Sequence, residues 1–378
     1  MYRMTRLTQL PAMIYGARVN CQRRLYRRRL ARQTIEVPTD RIALSYGPGI
    51  GDELRQGKNL MGGKVKLTYL HQRYPHDGNR FNILYLVSSA LPCHSAELVR
   101  WARNQGAKIV LNQNGVAYPA WTSDHVAINT ELATVLTQAD LVIYQSQFCK
   151  QGADRFLGEP PALWEVLPNC VDIARFTPIN RAFDGTHRLL IAGTHYHRER
   201  VTLPLHAVHA LADKDVPVRL TIAGRLAWPD GENEVRNLIA HLKLAQRVTV
   251  TGPFTHSQAP SLYSSHDMFL HLKHMDPCPN VVIEAMASGL PVIGSGSGGM
   301  AELVQANGGL LLPVSNSWKE LFYPSVGDLC DAIMKVGESI VECRLRARRH
   351  AAEHFSSEDW LDSHARLFST LPVLTPTA

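Results

Sequence analysis

Residues 276–299 read DPCPNVVIEAMASGLPVIGSGSGG, and the order of residue types in this stretch decides the fold of the second half of the chain. A Pro-rich turn comes first, and a helix then begins near Asn280, which is a favourable N-cap residue. A short apolar strand at residues 291–293 and a Gly-rich loop follow the helix. A helix that joins two buried strands in this way is typical of a parallel α/β sheet.

The same alternation extends along the rest of the chain. Short apolar or β-branched runs, interpreted as strands, alternate with amphipathic stretches, interpreted as helices. Two successive series predict two doubly wound Rossmann-like domains, at residues 42–180 and 181–354, that face a central cleft. We expect a final helix, residues 355–378, to rejoin the first domain. The predicted strands are residues 42–46, 81–87, 107–111, 141–145, 164–167, 189–192, 219–223, 247–250, 268–272, 291–293 and 309–312.

The composition excludes several classes of protein. Of the 378 residues, 45% are hydrophobic and 19% are charged, which excludes collagen-like and mainly disordered chains. No apolar run approaches the ~18 residues that a membrane span needs. The seven cysteines form no C-x-x-C pair, and no apolar core of a secretory signal is present at the start. We therefore expect a cytoplasmic protein.

The net charge of +7 is concentrated in a basic N-terminal arm, residues 1–41. This arm contains ten arginines and only two acids, Glu36 and Asp40. A basic amphipathic helix within residues 1–35 would lie on an anionic membrane, whereas a solvated tail explains the same composition. Few aromatic residues interleave with the arginines, so we expect no nucleic-acid partner. The apolar positions that are spaced by four are Met13, Ala17, Cys21 and Leu25.

Two acids flank the Pro-rich turn. Asp276 precedes the turn and Glu284 lies within the following helix, so both can face one pocket. A carboxylate in the helix can accept two hydrogen bonds from a ribose diol, and one at the strand exit can hold a sugar hydroxyl. The alternative is a solvated turn residue and a helix-surface charge. Backbone N–H groups at the start of the helix would bind a phosphate, and they belong to Cys278, Asn280 and Val281.

The motif around these acids resembles a known family. The pattern D-x7-EAMA-x-G-x-PV over residues 276–292, with GG-x-x-E over residues 298–302, is similar to that of the retaining glycosyltransferase family 4, which has the GT-B fold. The resemblance covers about residues 42–370. Further matching segments are LPNCVD at residues 167–172, FTP at 176–178, VTGP at 250–253, Tyr263-x3-Asp267 and the pair Gly62-Gly63.

This resemblance implies an activity. Members of the family transfer a hexosyl residue from a nucleotide diphosphate sugar to a carbohydrate or lipid-linked acceptor, with retention of configuration and no obligatory metal or other cofactor. By resemblance, Glu284 binds the ribose and Asp276 contacts the transferred sugar. The family usually has Glu where this chain has Asp276, which leaves the donor sugar open. The competing hypothesis is a catalytically inactive GT-B protein that binds nucleotides or sugars.

The loop GTHYHRER, residues 193–200, is expected to bind the diphosphate. The family places an arginine and a lysine here, but Thr194 occupies the expected arginine position. Arg198 or Arg200 must then substitute, beside Gly193, since a guanidinium suits phosphate. A solvated basic loop is the alternative. The two histidines of the loop lack a third ligand, so we predict no metal site.

Small residues of the first domain are also candidates for donor contacts. Gly47 and Gly49 lie in the loop after the first predicted strand, and Gly62 and Gly63 precede a helix. Glycines let the backbone approach a ligand closely, although a simple turn explains them equally well. The loop is no dinucleotide fingerprint, because its third glycine is misplaced.

Two amides stand where the family often has a histidine near the reacting sugar. Asn112 and Asn114 follow the strand at residues 107–111. Amides can bind acceptor hydroxyls but cannot act as a base, and Asn114-Gly115 is also a turn signal. In enzymes of this kind the departing diphosphate oxygen is thought to take the acceptor proton, so activity does not require the histidine.

Overall fold

The structure, a computed structural model, describes residues 22–58, 60, 62–160, 163–179 and 181–373. The described residues form two compact units. The first contains those up to Ala117, Thr122–Leu167 and those from Leu361 onward, and the second contains Tyr118–Trp121 and Pro168–Trp360.

The first unit is built on a five-stranded parallel sheet with the strands in sequential order. Strand β2 is buried along its whole length, as expected for a parallel strand that is covered on both faces. The strands are β1 (Leu44–Ser45), β2 (Ile83–Val87), β3 (Lys108–Gln113), β4 (Leu141–Tyr144) and β5 (Leu163–Val166). The helices are α1 (residues 22–30), α2 (Ile50–Arg55), α3 (Lys66–Arg73), α4 (Ser95–Asn104), α5 (His125–Leu136) and α6 (Gln147–Phe156).

The second unit is built on a six-stranded parallel sheet of order β11-β10-β9-β6-β7-β8. Its strands are β6 (His187–Ala192), β7 (Val218–Ala223), β8 (Val248–Gly252), β9 (Met268–His271), β10 (Val292–Ser295) and β11 (Gly309–Leu312). Its helices are α7 (Glu199–Ala212), α8 (Gly231–His241), α9 (Ala259–Ser264), α10 (Asn280–Ala287), α11 (Met300–Val304), α12 (Val326–Glu338) and α13 (Ile340–His354). The predicted class of two parallel α/β sheets is confirmed, and each predicted strand is present with ends shifted by at most two residues.

The chain changes unit at four places: at each end of Tyr118–Trp121, after Leu167 and after Trp360. Leu167 donates its N–H to Tyr144 O in the first unit, whereas Phe176 is fully buried in a core of the second. The change of unit at Leu167 thus precedes residue 180, where the sequence analysis put the boundary. The last helix, α14 (Ser357–Ser369), begins in the second unit and ends in the first.

Two local expectations differ from the structure. The N-cap of α10 is Pro279, in an extended conformation, and Asn280 is the first helical residue. Gly62 and Gly63 do not open an α-helix directly, because a 3₁₀ turn over Gly62–Lys64 comes before α3. In both cases the predicted residues still lie at or just before the first turn of the helix.

The described part of the basic arm packs against the first unit. Arg23 and Arg27 in α1 each form an ion pair with Glu97 of α4, whose side chain is only 3% exposed. Tyr26 contacts the ring of His94 at 5.3 Å between centroids, and Leu30 is buried. Residues 1–21, which carry most of the predicted apolar stripe, lie outside the described residues. None of the described helices has the length and apolar character that a membrane span requires.

Candidate functional site

The order of the second sheet creates a point at which ligands bind in α/β proteins. Strand β6 has β7 on one side and β9 on the other, so the direction of winding reverses between β6 and β9. Loops that leave the carboxyl ends of two such strands diverge and leave a crevice. The predicted loop at residues 193–200 follows β6, with its last two residues in the first turn of α7, and the turn at residues 272–279 follows β9. The fold therefore brings together the two segments that carry the candidate residues of this unit.

Close backbone contacts place the first of these loops beside α10. Gly193 has a φ of +109°, and a Cβ built on it would lie 3.7 Å from Cγ1 of Val281. A Cβ on Gly224 would come 1.8 Å from the carbonyl oxygen of Gly193, so a side chain there would displace the loop. The phosphate-loop candidate Gly193 is thus adjacent to the first turn of α10.

The N-terminus of α10 is anchored from the start of the second unit. The side-chain amide of Asn169 donates to the carbonyl oxygen of Cys278 at 2.8 Å, and its backbone N–H donates to Cys278 Sγ at 3.4 Å. The first intrahelical bond runs from Val282 N–H to Pro279 O. The N–H groups of Asn280 and Val281 therefore lie at the positive end of the helix dipole, which favours an anion.

The structure separates the two arginines that the sequence left as alternatives. Arg200 is buried, and its Nη1 donates to Thr194 O at 2.8 Å. Among the described residues, its buried Nε has no hydrogen-bond partner. Arg198 is 60% exposed and forms an ion pair with Glu234 at 2.6 Å. Arg200 is therefore the guanidinium with an open donor beside the crevice.

Asp276 lies in a basic environment. Its Oδ2 accepts a hydrogen bond from His271 Nε2 at 3.0 Å and lies 3.1 Å from Lys273 Nζ. Burial alone would raise the pKa of Asp276, but the charge of Lys273 and the hydrogen bond from His271 outweigh it and hold that pKa well below its usual range. Its negative charge in turn supports the buried Arg200, whose pKa burial lowers. The carboxylate is ionised at neutral pH.

The Gly-rich loop after β10 clamps the turn that carries Asp276. Met275 has a φ of +47°, and its N–H donates to Ser297 Oγ at 3.0 Å. A Cβ on Gly298 would approach the backbone of Met275 to 2.6 Å, so only glycine fits there. Gly299 N–H donates to Asp276 O at 3.0 Å. The GSGG segment, residues 296–299, therefore positions the carboxylate of Asp276.

The carboxylate of Glu284, a residue of α10, is contacted by two side chains from outside this helix. Its Oε2 accepts from the Tyr263 hydroxyl at 3.0 Å, and its Oε1 lies 3.6 Å from His256 Nε2. Burial, and then the charge of Glu284, raise the pKa of Tyr263 well above its usual range, so Tyr263 remains a donor. Arg175 donates to His256 Nδ1 at 3.1 Å, which assigns the proton of a neutral His256 to Nε2, facing Glu284.

Buried histidines complete the surroundings of Asp276. His195 is fully buried, and its Nε2 donates to Ala223 O at 3.2 Å. Burial, reinforced by Arg200, lowers the pKa of His195 to about 3, so its ring is neutral. Within the described ranges, Nδ1 of His195 and Nδ1 of His271 have no hydrogen-bond partner. No group of three or more His, Cys, Asp or Glu side chains among the described residues is arranged to hold a metal ion.

In the first unit, the predicted glycines occupy turns. Gly47 and Gly49 have φ of +77° and +85° in the loop before α2. A Cβ on Gly63 would lie 2.2 Å from Ser89 Oγ and 2.6 Å from Asn114 Nδ2. Gly63 therefore permits close packing on Ser89 and Asn114, whereas a Cβ on Gly62 would meet nothing within 4 Å.

The two candidate amides have different environments. Asn112 is buried in a polar network, since its Oδ1 accepts from Lys66 Nζ at 2.8 Å and from Gln145 Nε2 at 3.2 Å, and its Nδ2 donates to Tyr85 at 3.1 Å. Asn114 donates to Ser89 Oγ at 2.9 Å. Its Oδ1 has no hydrogen-bond partner among the described residues. No pattern in the sequence marks the buried Lys66 as part of this network.

Residues 172–322 match the family described as Glycosyl transferases group 1. This span contains β6, β9 and α10, with Arg200, Asp276 and Glu284. Residues 172–322 are therefore a group 1 glycosyltransferase domain within the second unit, and the predicted family is confirmed for this span.

Similar proteins agree with this assignment. The chain is 27% identical over 150 residues to a D-inositol 3-phosphate glycosyltransferase of Pseudarthrobacter chlorophenolicus. This alignment covers 37% of this chain and 36% of that protein. It is 20% identical over 273 residues to the phosphatidylinositol N-acetylglucosaminyltransferase gpi3 subunit of Schizosaccharomyces pombe. This alignment covers 71% of this chain and 56% of that protein. The chain thus spans from about a third to just over half of the length of these relatives.

Solved structures identify the fold. Anabaena Alr3699/HepE in complex with UDP and glucose has a TM-score of 0.64 and 19% identity, over 82% of this chain and 80% of that one. Sucrose-phosphate synthase from Thermosynechococcus elongatus has a TM-score of 0.60 and 16% identity, over 89% and 87% of the two chains. The predicted GT-B fold is confirmed.

Proposed function

We propose that the chain is a glycosyltransferase that moves a hexosyl residue from a nucleotide diphosphate sugar to a carbohydrate or lipid-linked acceptor, with retention of configuration. The observation that carries the proposal is the buried Arg200 with an open Nε, in the first turn of α7, directly after the loop whose Gly193 lies beside the N-terminus of α10. A buried cation without a direct carboxylate partner is costly unless a ligand completes it. A diphosphate supplies the missing charge.

The diphosphate is bound by Arg200 and by the N–H groups at the start of α10. A guanidinium binds phosphate oxygens through two parallel hydrogen bonds, and the helix dipole adds to the attraction. Gly193 allows the backbone to approach the phosphates. Arg198 takes no part, because Glu234 already pairs with it.

The two acids bind the two remaining parts of the donor, the ribose and the transferred sugar. Glu284 binds the ribose diol, with its carboxylate oriented by Tyr263. Asp276 holds hydroxyls of the transferred sugar and stabilises the positive charge that develops as the glycosidic bond lengthens. The carboxylate of Asp276 is ionised, as this role requires. The departing diphosphate oxygen takes the acceptor proton, so no protein base and no metal or other cofactor are needed.

The first unit contributes contacts to the acceptor and donor. Asn114 offers its unpartnered Oδ1 to an acceptor hydroxyl, whereas the amide of Asn112 is engaged in its buried network. Gly47, Gly49 and Gly63 let the backbone approach the substrates.

The outer face of the arm makes peripheral contact with an anionic membrane on the cytoplasmic side. In α1, Arg24, Leu25, Arg28 and Arg29 are exposed, whereas Arg23 and Arg27 pair with Glu97. The exposed arginines supply the attraction, since each basic residue near such a surface contributes about 1 kcal/mol.

A nucleotide screen tests this function against the inactive alternative. The full chain is first tested by thermal shift with UDP, GDP and ADP, and the nucleotide that binds is then supplied as its hexose conjugates. We expect a higher melting temperature with one nucleotide and release of that nucleotide from a conjugate over time. Stabilisation without any release, with and without acceptor sugars, would instead support a binding protein.

A further inference from the structure

A short segment from the middle of the chain packs into the second unit. Residues Tyr118–Trp121 belong to this unit, although the residues on either side belong to the first. The N–H of Ala120 donates to Trp318 O at 3.0 Å. The rings of Tyr118 and Trp318 meet edge to face, with centroids 5.2 Å apart and planes at 76°. Backbone and ring contacts thus fix the segment on Trp318.

Trp318 is itself fixed beside the turn that carries Asp276. Its neighbour Ser317 donates its N–H to Met275 Sδ at 3.1 Å and accepts a hydrogen bond from His274 Nε2 at 2.9 Å. Burial raises the pKa of Tyr118, and the nearby charge of Asp276 raises it further. The aromatic residues therefore lie close to the carboxylate that we assign to the transferred sugar.

One ring of this group remains open to solvent. Trp121 is 48% exposed, whereas Tyr118, which contacts it at 6.3 Å between centroids, is 8% exposed. Exposed indole surface is unfavourable in water, by about 25 cal/mol per Å². An aromatic side chain held rigidly by its neighbours presents contact area at little further cost in entropy. An open ring that packs on a buried ring, which itself lies near a charged site, has the properties of a ligand platform.

We propose that Trp121, supported by Tyr118 and Trp318, is an aromatic platform on which a six-membered polyhydroxylated ring of the acceptor stacks. The proposal rests on the proposed function and narrows its acceptor to a pyranose or a cyclitol. One face of such a ring presents C–H bonds with partial positive charge, which suit the negative face of an indole. Its hydroxyl groups stay at the rim, where solvent can reach them. A bare lipid phosphate would instead require cations at this position.

Saturation-transfer NMR on the full chain tests the platform. The probes are methyl β-D-glucopyranoside, methyl α-D-mannopyranoside and myo-inositol, and their separate responses distinguish a pyranose from a cyclitol. We expect transfer to ring C–H protons of at least one probe, and a loss of about fivefold or more in Trp121→Ala. Trp121→Phe should restore most of the signal. Trp164→Ala, at a tryptophan that is 47% exposed in β5, is the matched control and should match the wild type.

The outcomes separate this proposal from the proposed function. Equal transfer in the wild type and Trp121→Ala, or no transfer to any probe, would overturn the platform. A blue shift of Trp121 emission on neutral phosphatidylcholine vesicles without any response to the probes would assign this ring to a lipid surface and also overturn it. Binding of UDP, GDP or ADP in all variants checks folding and is unaffected by the platform, so failure of the wild type to bind any of them counts against the proposed function alone.

Discussion

Arg198 and Arg200 are two positions apart, but their surroundings predict opposite effects on donor binding. Replacing Arg200 by Ala removes the buried guanidinium, and a charge-assisted contact contributes roughly 1.5 to 3 kcal/mol. We expect the dissociation constant of the bound nucleotide to rise by roughly 10- to 150-fold. Arg198→Ala should change it by less than about twofold, because an exposed ion pair contributes little. Calorimetric titration of both variants measures the difference, and equal effects would place the diphosphate elsewhere.

Substitutions of Asp276 and of Glu284 should affect different steady-state constants. Glu284→Gln weakens a contact that serves the substrate and the transition state about equally, so its main effect is a higher donor KM. Asp276→Asn removes charge where the transition state becomes positive, so its main effect is a lower kcat. Melting temperatures check that both variants fold. Wild-type kinetics in both folded variants would make the acid pair structural.

Single residues show where sequence reasoning reaches its limit. The acids were identified because they lie eight positions apart in one contiguous motif. The choice between Arg198 and Arg200 was not decidable, because it depends on Glu234 from another helix. Tyr263 was noted only as part of a motif, and its bond to Glu284 spans 21 positions. Contacts of this kind arise from tertiary packing and leave no local pattern.

At the scale of secondary-structure elements, α1 is part of the first unit and more than a detachable arm. Deleting residues 1–35 removes Arg23 and Arg27 and leaves the buried Glu97 with Arg100 as its remaining ion-pair partner. A buried charge that loses its partners destabilises the fold. We expect the deletion to lower the melting temperature by several degrees, whereas the double variant Arg24→Gln/Arg28→Gln, which changes only exposed residues, should not. An unchanged melting temperature in the deletion would mean that α1 does not stabilise the unit.

The same ion pairs predict a dependence of stability on pH. Burial disfavours the charged form of Glu97, but Arg27, Arg100 and Arg23 outweigh it and lower its pKa from 4.5 to about 2. A carboxylate with a depressed pKa stabilises the fold above its unfolded pKa, and this contribution is lost as the pH falls from 4.5 toward 2. The wild type should therefore lose more thermal stability than Glu97→Gln over that interval. Parallel slopes in scanning calorimetry would contradict the assignment.

Membrane contact through the outer face of α1 is a separate property. The full chain should float with anionic vesicles at low ionic strength and be released at high ionic strength, since screening weakens the attraction. The double variant Arg24→Gln/Arg28→Gln should bind these vesicles more weakly. Absence of flotation at every ionic strength would exclude this contact.

At the scale of the whole molecule, the alternation of strands and helices was sufficient to predict both parallel sheets. Strands of such sheets are buried on both faces and read as short apolar runs, so their positions are local information. The placement of Tyr118–Trp121 in the second unit was not predictable, because a loop carries no periodicity and its contacts lie almost 200 residues away, at Trp318. The point of change between the units was likewise set by burial of Phe176 in a distant core.

The proposed activity is the transfer of a hexosyl residue with retention of configuration. The most direct test is a proton NMR time course of the full chain with an α-linked nucleotide hexose and an excess of acceptor glycoside. We expect a new anomeric signal from an α-linked product that grows as the donor signal decays, and growth that is about tenfold slower or more in Arg200→Ala at limiting donor. A β-linked product, or no product from any nucleotide hexose that binds, would contradict it.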